Sequence, residues 1–259
     1  LRMIYGSGLP DIGKEAIPTV AALGRIVAKG IISSADVPPF DRTAVDGFAI
    51  RSKASFSASR NNPAIFKVKG QIEAGKVFED KARRIGPGEA YEVFTGAPIP
   101  EGANAVVMVE DTGRCGENVE VYRPVPKLSN VSPRGEDIKA GDTLLEAGTV
   151  IKPWHIGALA SVGISKINVR RRVRVGVFST GSELLDLEKK GTAESGIIDS
   201  ARPMISAALE ALGCAAVDGG IAVDNVWVIA KRLGDLKGHV DVIISIGGTS
   251  VGGKDLVPD

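Results

Sequence analysis

The sequence is poor in the residues that build the commonest metal and nucleophile sites. It has 2 cysteines, Cys115 and Cys214, which lie far apart without a CxxC pair, and 2 histidines, His155 and His239. This scarcity excludes most zinc-ligand patterns and makes a Ser-His-Asp relay a poor explanation of any activity. We therefore expect incidental or buried thiols and a chemistry built on other side chains.

The chain also has few aromatic residues, almost no net charge and no long apolar run. Aromatic residues make up 5% of the chain, and Trp154 and Trp227 are interpreted as packing residues rather than stacking platforms. Lys+Arg 32 against Asp+Glu 31 leaves a formal charge of +1, so the composition favours no nucleic-acid partner. No run approaches the roughly 18 apolar residues of a membrane span, and the start lacks the apolar core of a secretory signal. We expect a cytoplasmic protein without a membrane partner.

The first two-thirds of the chain predict one short helix, a β-region and a second helix. Residues 17–29, IPTVAALGRIVAK, have apolar residues at helical spacing with Gly30 behind them, which predicts an amphipathic helix. Residues 153–162 predict a helix with proline in its first turn. Short β-type runs separated by Gly, Pro and Asn predict a small β-domain, a curled sheet or barrel. These runs are residues 64–70, 90–96, 105–111 and 119–124.

From residue 173 onward, strands alternate with helices. Strands are predicted at residues 173–178, 215–220 and 240–246. Helices are predicted at residues 203–212, closed by Gly213, and at residues 225–233, capped by Asp224. This alternation is typical of a right-handed parallel sheet, whose ligands bind beyond the carboxyl ends of the strands.

Two of these strands end in turns that suit an anion. One runs into a glycine-rich loop, residues 247–253, whose glycines let main-chain N–H groups approach an anion and whose Thr249 and Ser250 add hydroxyl donors. The other runs into STGSE, residues 179–183, which we call the STGSE loop. Its T-x-x-E pattern is also explained as a helix capping box that needs no ligand. Because both turns lie at one edge of the sheet, the ligand interpretation is favoured.

Polar residues in the β-region leave two interpretations open. Asp41 and Asp46 follow Pro38-Pro39 and suit a general base and a metal ligand. Alternatively, Asp41 caps a turn through its own backbone and Asp46 precedes Gly47 in another turn. Thr95 follows a predicted strand and is either a site hydroxyl or a turn residue. Residues 130–142 are polar and glycine-rich and predict a solvated crossing between domains.

Six motifs occur in an order that points to one family. They are DVPPFDRTAVDGFAI, FTGAPIPEGANAVVMVEDT, RGEDIKAGDTLLEAGT, FSTGSELL, IIDSARPM and SIGGTSVGGKD. In this order the chain resembles the molybdopterin molybdenumtransferases, the MoeA and gephyrin E-domain family of molybdenum cofactor biosynthesis, from about residue 15 to the end. An unrelated nucleotide-binding α/β protein would leave five of the six motifs unexplained.

The resemblance implies an α+β multidomain fold. Its expected parts are an elongated linking domain at residues 1–45 and 134–172, a small β-barrel-like domain at 46–133, and a three-layer α/β molybdopterin-binding domain at 173–259. An elongated homodimer is implied, with an active cleft between the α/β domain of one protomer and the β-domain of the other. We expect the chain to be incomplete at its C-terminus, because the family's KPGKP and PGNP segments and its last β-domain do not occur in it.

The implied activity is the insertion of molybdate into adenylyl-molybdopterin with release of AMP, using Mg²⁺ and a substrate supplied by a molybdopterin adenylyltransferase. Oxygen-rich ligands suit magnesium better than zinc. The catalytic positions carried over are Asp46, Thr95, Asp137, Glu183, Asp224 and Asp255. The metal ligands among them are Glu183, Asp224 and Asp255. The substrate-binding positions are Ser179, Thr180, Gly181, Ser182, Asp199, Ser200, Gly247, Gly248, Ser250, Gly252 and Lys254.

Four positions depart from the family pattern, namely Ser132, Ser182, Ala201 and Gly253. Ser182 stands where the family usually has Asp, and Ala201 where it usually has Asn. Losing the amide at 201 removes a donor and acceptor for the nucleotide or pterin. These two departures favour an alternative function, a non-catalytic dimeric scaffold that binds molybdopterin, whereas the retained carboxylates favour catalysis.

Overall fold

The computed structural model describes residues 12–75, 84–188 and 196–247. The chain divides into two compact units. The first unit comprises Leu1–Lys29, Glu146–Ile156 and Ser165–Asp259, and the second comprises Gly30–Leu145 and Gly157–Ile164. None of the helices in the described ranges has the length and apolar character needed to cross a membrane.

Strands dominate the described residues. In chain order, β1 to β17 are Lys14–Pro18, Ile31–Ile32, Arg42–Thr43, Gly47–Ile50, Ala64–Ile72, Glu89–Val93, Ala105–Met108, Thr112–Cys115, Asn118–Val121, Val131–Ser132, Thr143–Leu145, Lys166–Arg170, Arg174–Thr180, Leu184–Leu185, Ile197–Ile198, Ala215–Ala222 and Val242–Ile246. The α-helices, α1 to α3, are Pro153–Ser161, Ala201–Ala211 and Val226–Lys237. Short 3-10 helices lie at Thr19–Ala21, Ser52–Ser55 and Val109–Asp111. This content confirms the α+β class, and the three-domain layout stays a prediction.

The second unit is built on a six-stranded sheet in the order β7-β4-β6-β5-β9-β8. Neighbours are antiparallel except for β5 and β6, which run parallel. Alternate residues of β4 face opposite sides of the sheet, so Phe48 and Ile50 join one apolar core and Ala49 joins another. The four predicted β-runs are confirmed as β5, β6, β7 and β9. Within the described residues β7 and β8 are edges, so the sheet is open rather than a closed barrel.

The first unit contains a three-stranded parallel sheet in the order β16-β13-β17, as the sequence predicts. Val175, Val177 and Phe178 of the central strand are buried, which is typical of a parallel strand covered on both faces. Helix α2 ends before Gly213, whose φ of +85° is the left-handed conformation that terminates many helices.

The helix predicted at residues 17–29 is wrong. Lys14–Pro18 instead pairs antiparallel with β12, and a short 3-10 turn follows at Thr19–Ala21. Gly24 then takes a φ of +72°, which interrupts any helix, and the backbone of Val27 bonds to Thr149. Tertiary pairing thus overrides the apolar spacing, whose residues are divided between buried and exposed positions.

Two smaller expectations are also corrected. The cap of α3 is Asn225, whose side chain accepts from the N–H groups of Trp227 at 3.0 Å and Val228 at 3.3 Å, rather than Asp224. Neither tryptophan packs in a core, because Trp154 is 64% exposed and Trp227 is 84% exposed.

The start of the parallel sheet is fixed by an ion pair within the first unit. Arg171 donates from both terminal nitrogens to the two oxygens of Asp241, each at 2.8 Å, and the N–H of Arg174 donates to Asp241 at 2.7 Å. The hydrogen bonds from Arg171 are the main reason that the pKa of Asp241 falls from 3.8 to about 2. The pair therefore joins the segment before β13 to the first residue before β17.

Asp241→Asn should lower the free energy of unfolding by about 1–2 kcal/mol at pH 7, after allowing for solvent screening. Because the folded pKa lies below the unfolded one, this stabilisation is complete above about pH 4 and is lost as pH falls toward 2. Urea unfolding at pH 7 and pH 3 measures both effects, with exposed Asp235→Asn as the matched control. Equal stability of the Asp241 variant and the parent at pH 7 would contradict this assignment.

Candidate functional site

The carboxyl ends of β13 and β17 are joined directly. The Thr180 hydroxyl donates to the carbonyl of Ile246 at 3.3 Å. A Cβ on Gly247 would lie 2.6 Å from the Thr180 carbonyl oxygen, and Gly247 has a φ of +90°. Only glycine fits there, so the first residue of the glycine-rich loop lies against the STGSE loop. The remaining predicted positions of this region lie outside the described residues and stay predictions, namely Gly248, Ser250, Gly252, Lys254 and Asp255.

The loops that follow β13 and β16 are paired by reciprocal hydrogen bonds. The N–H of Ser182 donates to Asp224 Oδ2 at 3.2 Å, and the N–H of Asp224 donates to the Ser182 hydroxyl at 3.2 Å. The N–H of Gly181 also donates to the carbonyl of Ala222 at 3.0 Å. Asp224 and the STGSE loop therefore meet at one edge of the sheet, as the parallel topology requires.

Glu183 lies at the same edge with its carboxylate folded back over the loop. A Cβ on Gly181 would lie 2.8 and 2.9 Å from the two carboxylate oxygens of Glu183, so the absence of a side chain at 181 makes room for them. The chain continues into β14, which pairs with β15, rather than into a helix. The capping-box alternative is therefore wrong, and the Glu183 side chain is exposed to solvent.

Asp199 has an internal partner. The residue is 3% exposed, and its carboxylate accepts from Arg202 Nε at 2.9 Å and from the Arg202 N–H at 3.2 Å. Burial raises the pKa of Asp199, but the hydrogen bonds to its carboxylate, together with the positive charge of Arg202, outweigh burial and lower the pKa below its ordinary value. Arg202, itself buried, also bonds to Asp218 and Asp186. Asp199 thus supports the segment that presents the exposed Ser200.

Arg202 was not predicted from the sequence. The signal that could have found it is the i, i+3 spacing from Asp199, directly before the helix predicted at residues 203–212, and this spacing spans the start of observed α2. Among the other predicted substrate-binding positions, Ser179 and Thr180 are buried at the end of β13 and Ser182 is exposed.

The second unit brings Asp46 and Thr95 together. Asp46 Oδ1 accepts from both the N–H and the hydroxyl of Thr95, each at 2.7 Å. These bonds lower the pKa of Asp46, and the bond from the Thr95 hydroxyl contributes most. A Cβ on Gly47 would lie 1.9 Å from the Val107 carbonyl oxygen, so the tight packing of β4 on β7 fixes the backbone beside Asp46. Asp46 ends a bend directly before Gly47, as the turn interpretation has it, and its carboxylate also binds a partner that is remote in sequence.

Asp137 lies on a loop that is fastened to the Pro38-Pro39 segment. Its N–H donates to the carbonyl of Val37 at 2.9 Å. Arg134 donates from Nε to Asp36 and from its N–H to Asp41, the latter at 2.8 Å. Asp36 and Asp41 are therefore engaged by this loop, whereas the side chain of Asp137 is exposed.

A complete metal site is not formed by the part of the chain that the structure describes. No group of three or more His, Cys, Asp and Glu side chains converges there. Glu183 and Asp224 provide oxygen donors at one sheet edge, and Asp255, the third predicted ligand, lies outside the described residues. This donor chemistry suits Mg²⁺, which commonly uses one or two carboxylates together with substrate phosphates.

Comparison with known proteins divides the chain in two. Residues 4–163 match the family described as the MoeA N-terminal region (domain I and II), and residues 176–259 match the one described as a probable molybdopterin binding domain. The chain is 39% identical over 245 residues to molybdopterin molybdenumtransferase of Staphylococcus aureus strain Mu50, covering 92% of this chain and 56% of the relative. The corresponding figures for Staphylococcus epidermidis are 39% over 243 residues, with the same coverage.

The same likeness extends to solved structures. A crystal structure of the molybdopterin biosynthesis MoeA protein from Pyrococcus horikoshii superposes with a TM-score of 0.84 at 32% identity, covering 94% of this chain and 61% of that one. A second structure of the protein from that organism gives a TM-score of 0.82 at 34% identity, covering 90% and 61%. The chain thus spans a little over half the length of the curated relatives it matches.

Arg202→Met should cost about 3 kcal/mol or more of unfolding free energy, because it leaves the buried Asp199 carboxylate without its charged partner. Urea unfolding measures this cost. Adding Asp199→Asn to the same chain should recover at least about 1 kcal/mol, because the uncompensated charge is then removed. Lys231→Met, an exposed change on α3, is the control. If the Arg202→Met chain were as stable as the parent, the stabilising role assigned to the Arg202–Asp199 pair would be wrong.

Thr95→Val should raise the pKa of Asp46, because the hydroxyl that stabilises its ionised form is lost while the backbone bond can remain. The side-chain carboxyl resonance of Asp46, followed by NMR against pH, measures the shift. Thr112→Val, whose hydroxyl bonds to the Val109 carbonyl, is the matched control and should leave Asp46 unchanged. An unaltered titration of Asp46 in Thr95→Val would contradict the predicted coupling.

Proposed function

The chain belongs to the MoeA family, and from that membership we propose that it acts as a molybdopterin molybdenumtransferase, inserting molybdate into adenylyl-molybdopterin and releasing AMP. The match to both regions of the family and the names of the relatives support this proposal. Because the chain spans little more than half of those relatives, the activity of the whole protein is carried over as a proposal. A cytoplasmic location and a molybdopterin adenylyltransferase as substrate donor form part of it.

One observation carries the proposal for this chain. The STGSE loop, Asp224 and the first residue of the glycine-rich loop converge at the carboxyl edge of the parallel sheet. Ligands of parallel α/β sheets bind at that edge. Molybdate and the phosphates of the substrate are anions, so exposed carboxylates beside them require a cation.

We assign that cation as Mg²⁺, held by Glu183, Asp224 and Asp255. When bound it would neutralise charge between these carboxylates and the substrate and would polarise the adenylyl phosphate. The hydrogen bond from Ser182 occupies only Oδ2 of Asp224. Within the described residues, Oδ1 has no hydrogen-bond partner, which leaves it available to the cation.

The predicted homodimer supplies the remaining groups in this proposal. Asp46 and Thr95 of one protomer would face the α/β region of its partner, together with Asp137. Their exposure and the Asp46–Thr95 pair support this role, because a carboxylate with a lowered pKa stays ionised and can orient a water molecule. Its second oxygen, Oδ2, remains for that purpose.

The alternative is a non-catalytic dimeric scaffold that binds molybdopterin. The observation that favours it is the methyl side chain at Ala201, the first residue of α2, directly after exposed Ser200. An amide there would add a donor and an acceptor at the proposed site, and alanine supplies neither.

Asp224→Asn should abolish the release of AMP that follows addition of molybdate, with a rate at least about 100-fold lower, because the cation loses a charged ligand. Asp235→Asn, an exposed change on α3, should keep the parent rate. Calorimetry with adenylyl-molybdopterin, followed by an assay of AMP, separates binding from turnover. Binding without release in the parent chain would favour the scaffold, and full activity of Asp224→Asn would contradict the assigned role.

A further inference from the structure

Trp227 is an exposed aromatic side chain at the same edge of the sheet as the proposed site. It lies in the first turn of α3 and is 84% exposed, which is far more than tryptophan usually shows in a folded chain. Val223 and Val226 beside it are also exposed. A group of exposed apolar side chains next to polar ones is typical of a surface that contacts a ligand or partner.

The backbone holds Trp227 close to Asp224. β16 ends at Ala222, Asp224 is bonded to Ser182, and the Asn225 side chain caps the N–H of Trp227 at 3.0 Å. Only two residues separate Asp224 from Trp227, and both belong to this capped turn. Side chains in a helix lean toward its N-terminus, which here is the end that meets the proposed site.

No other tryptophan, tyrosine or phenylalanine is available in that region. Among residues 173–247 the only other such residue is Phe178, which is fully buried in β13. The substrate of the proposed reaction carries two planar heterocycles, an adenine and a pterin. A ring that binds at this edge and stacks on an aromatic side chain of this region therefore has Trp227 as its partner.

We propose that Trp227 is a binding residue whose indole stacks on a planar nitrogen heterocycle of the bound substrate. This inference rests on the proposed function. It explains why the indole is left uncovered beside polar, charged loops, where a purely structural tryptophan would be packed. The chemistry shared by adenine and pterin is a flat π-face, and stacking on tryptophan tolerates either ring.

Trp154 provides a matched comparison within the same chain. It is also largely exposed, but it has local partners, since Lys152 Nζ lies 5.2 Å from its ring centroid and His155 meets it edge-on at 5.7 Å. It lies in α1, which precedes the segment 173–247 that forms the parallel sheet and its helices. Its replacement should leave ligand binding unchanged.

The chain has 2 tryptophans, so Trp154→Phe leaves Trp227 as the only one. In that variant, titration with AMP and with neopterin should change the Trp227 emission saturably for at least one of the two probes. Calorimetry with the same probe should give a Kd raised about tenfold by Trp227→Ala and less than about threefold by Trp227→Phe. Trp154→Ala is the control, and the probe that loses affinity identifies the ring.

The outcomes separate the two proposals. If the parent binds adenylyl-molybdopterin and a probe while Trp227→Ala binds both equally well, the stacking inference is overturned and the proposed function stands. If the parent binds neither adenylyl-molybdopterin nor either probe, the proposed function and the stacking inference are both overturned. If Trp227→Ala converts a dimer into monomers without altering the affinity per protomer, the indole is a subunit contact and the inference is again overturned. Light scattering on each variant decides this last outcome.

Discussion

The pairing of the loops at the carboxyl edge of the parallel sheet is the constraint on which the proposed site depends. Ser182 and Asp224 exchange two hydrogen bonds, and Gly247 lies so close to Thr180 that no side chain fits between them. Loops that leave three separate strands are thereby held at one edge. The pairing uses main-chain N–H groups and short side chains and does not involve the carboxylate of the exposed Glu183.

The second unit fixes a carboxylate by a related device. Gly47 packs against the Val107 carbonyl at the start of β4, and the neighbouring Asp46 is bound twice by Thr95. In each unit a glycine permits a close backbone approach, of Gly247 to Thr180 in the first unit and of Gly47, next to Asp46, to Val107 in the second. Only glycine fits at these two positions, because any Cβ would clash with backbone atoms. The gain is a carboxylate with a defined position and, at Asp46, a stabilised charge.

Much of the site's framework was predictable from local pattern. Parallel strands ending in polar, glycine-containing turns imply a shared edge, and the structure has the STGSE loop, Asp224 and Gly247 there. The predictions that are wrong concern segments whose conformation is determined by tertiary contacts. Residues 17–29 have helical spacing, yet pairing with β12 outweighs it. Aspartate is a common residue at helix N-caps, but the carboxylate of Asp224 accepts from the N–H of Ser182. Asn225 therefore caps the N-terminus of α3. The exposure of Trp227 and the burial of Arg202 depend on long-range packing that no short window contains.

Paramagnetic relaxation by Mn²⁺, used in place of Mg²⁺, tests most directly whether this edge is one cation and anion pocket. If it is, Mn²⁺ in the presence of AMP should saturably broaden the amide resonances of Ser182, Glu183, Asp224 and Gly247. The amides of Arg174 and Val242, at the opposite ends of the strands, should stay sharp. Broadening that spares the first group, or that affects both ends of the sheet equally, would contradict it.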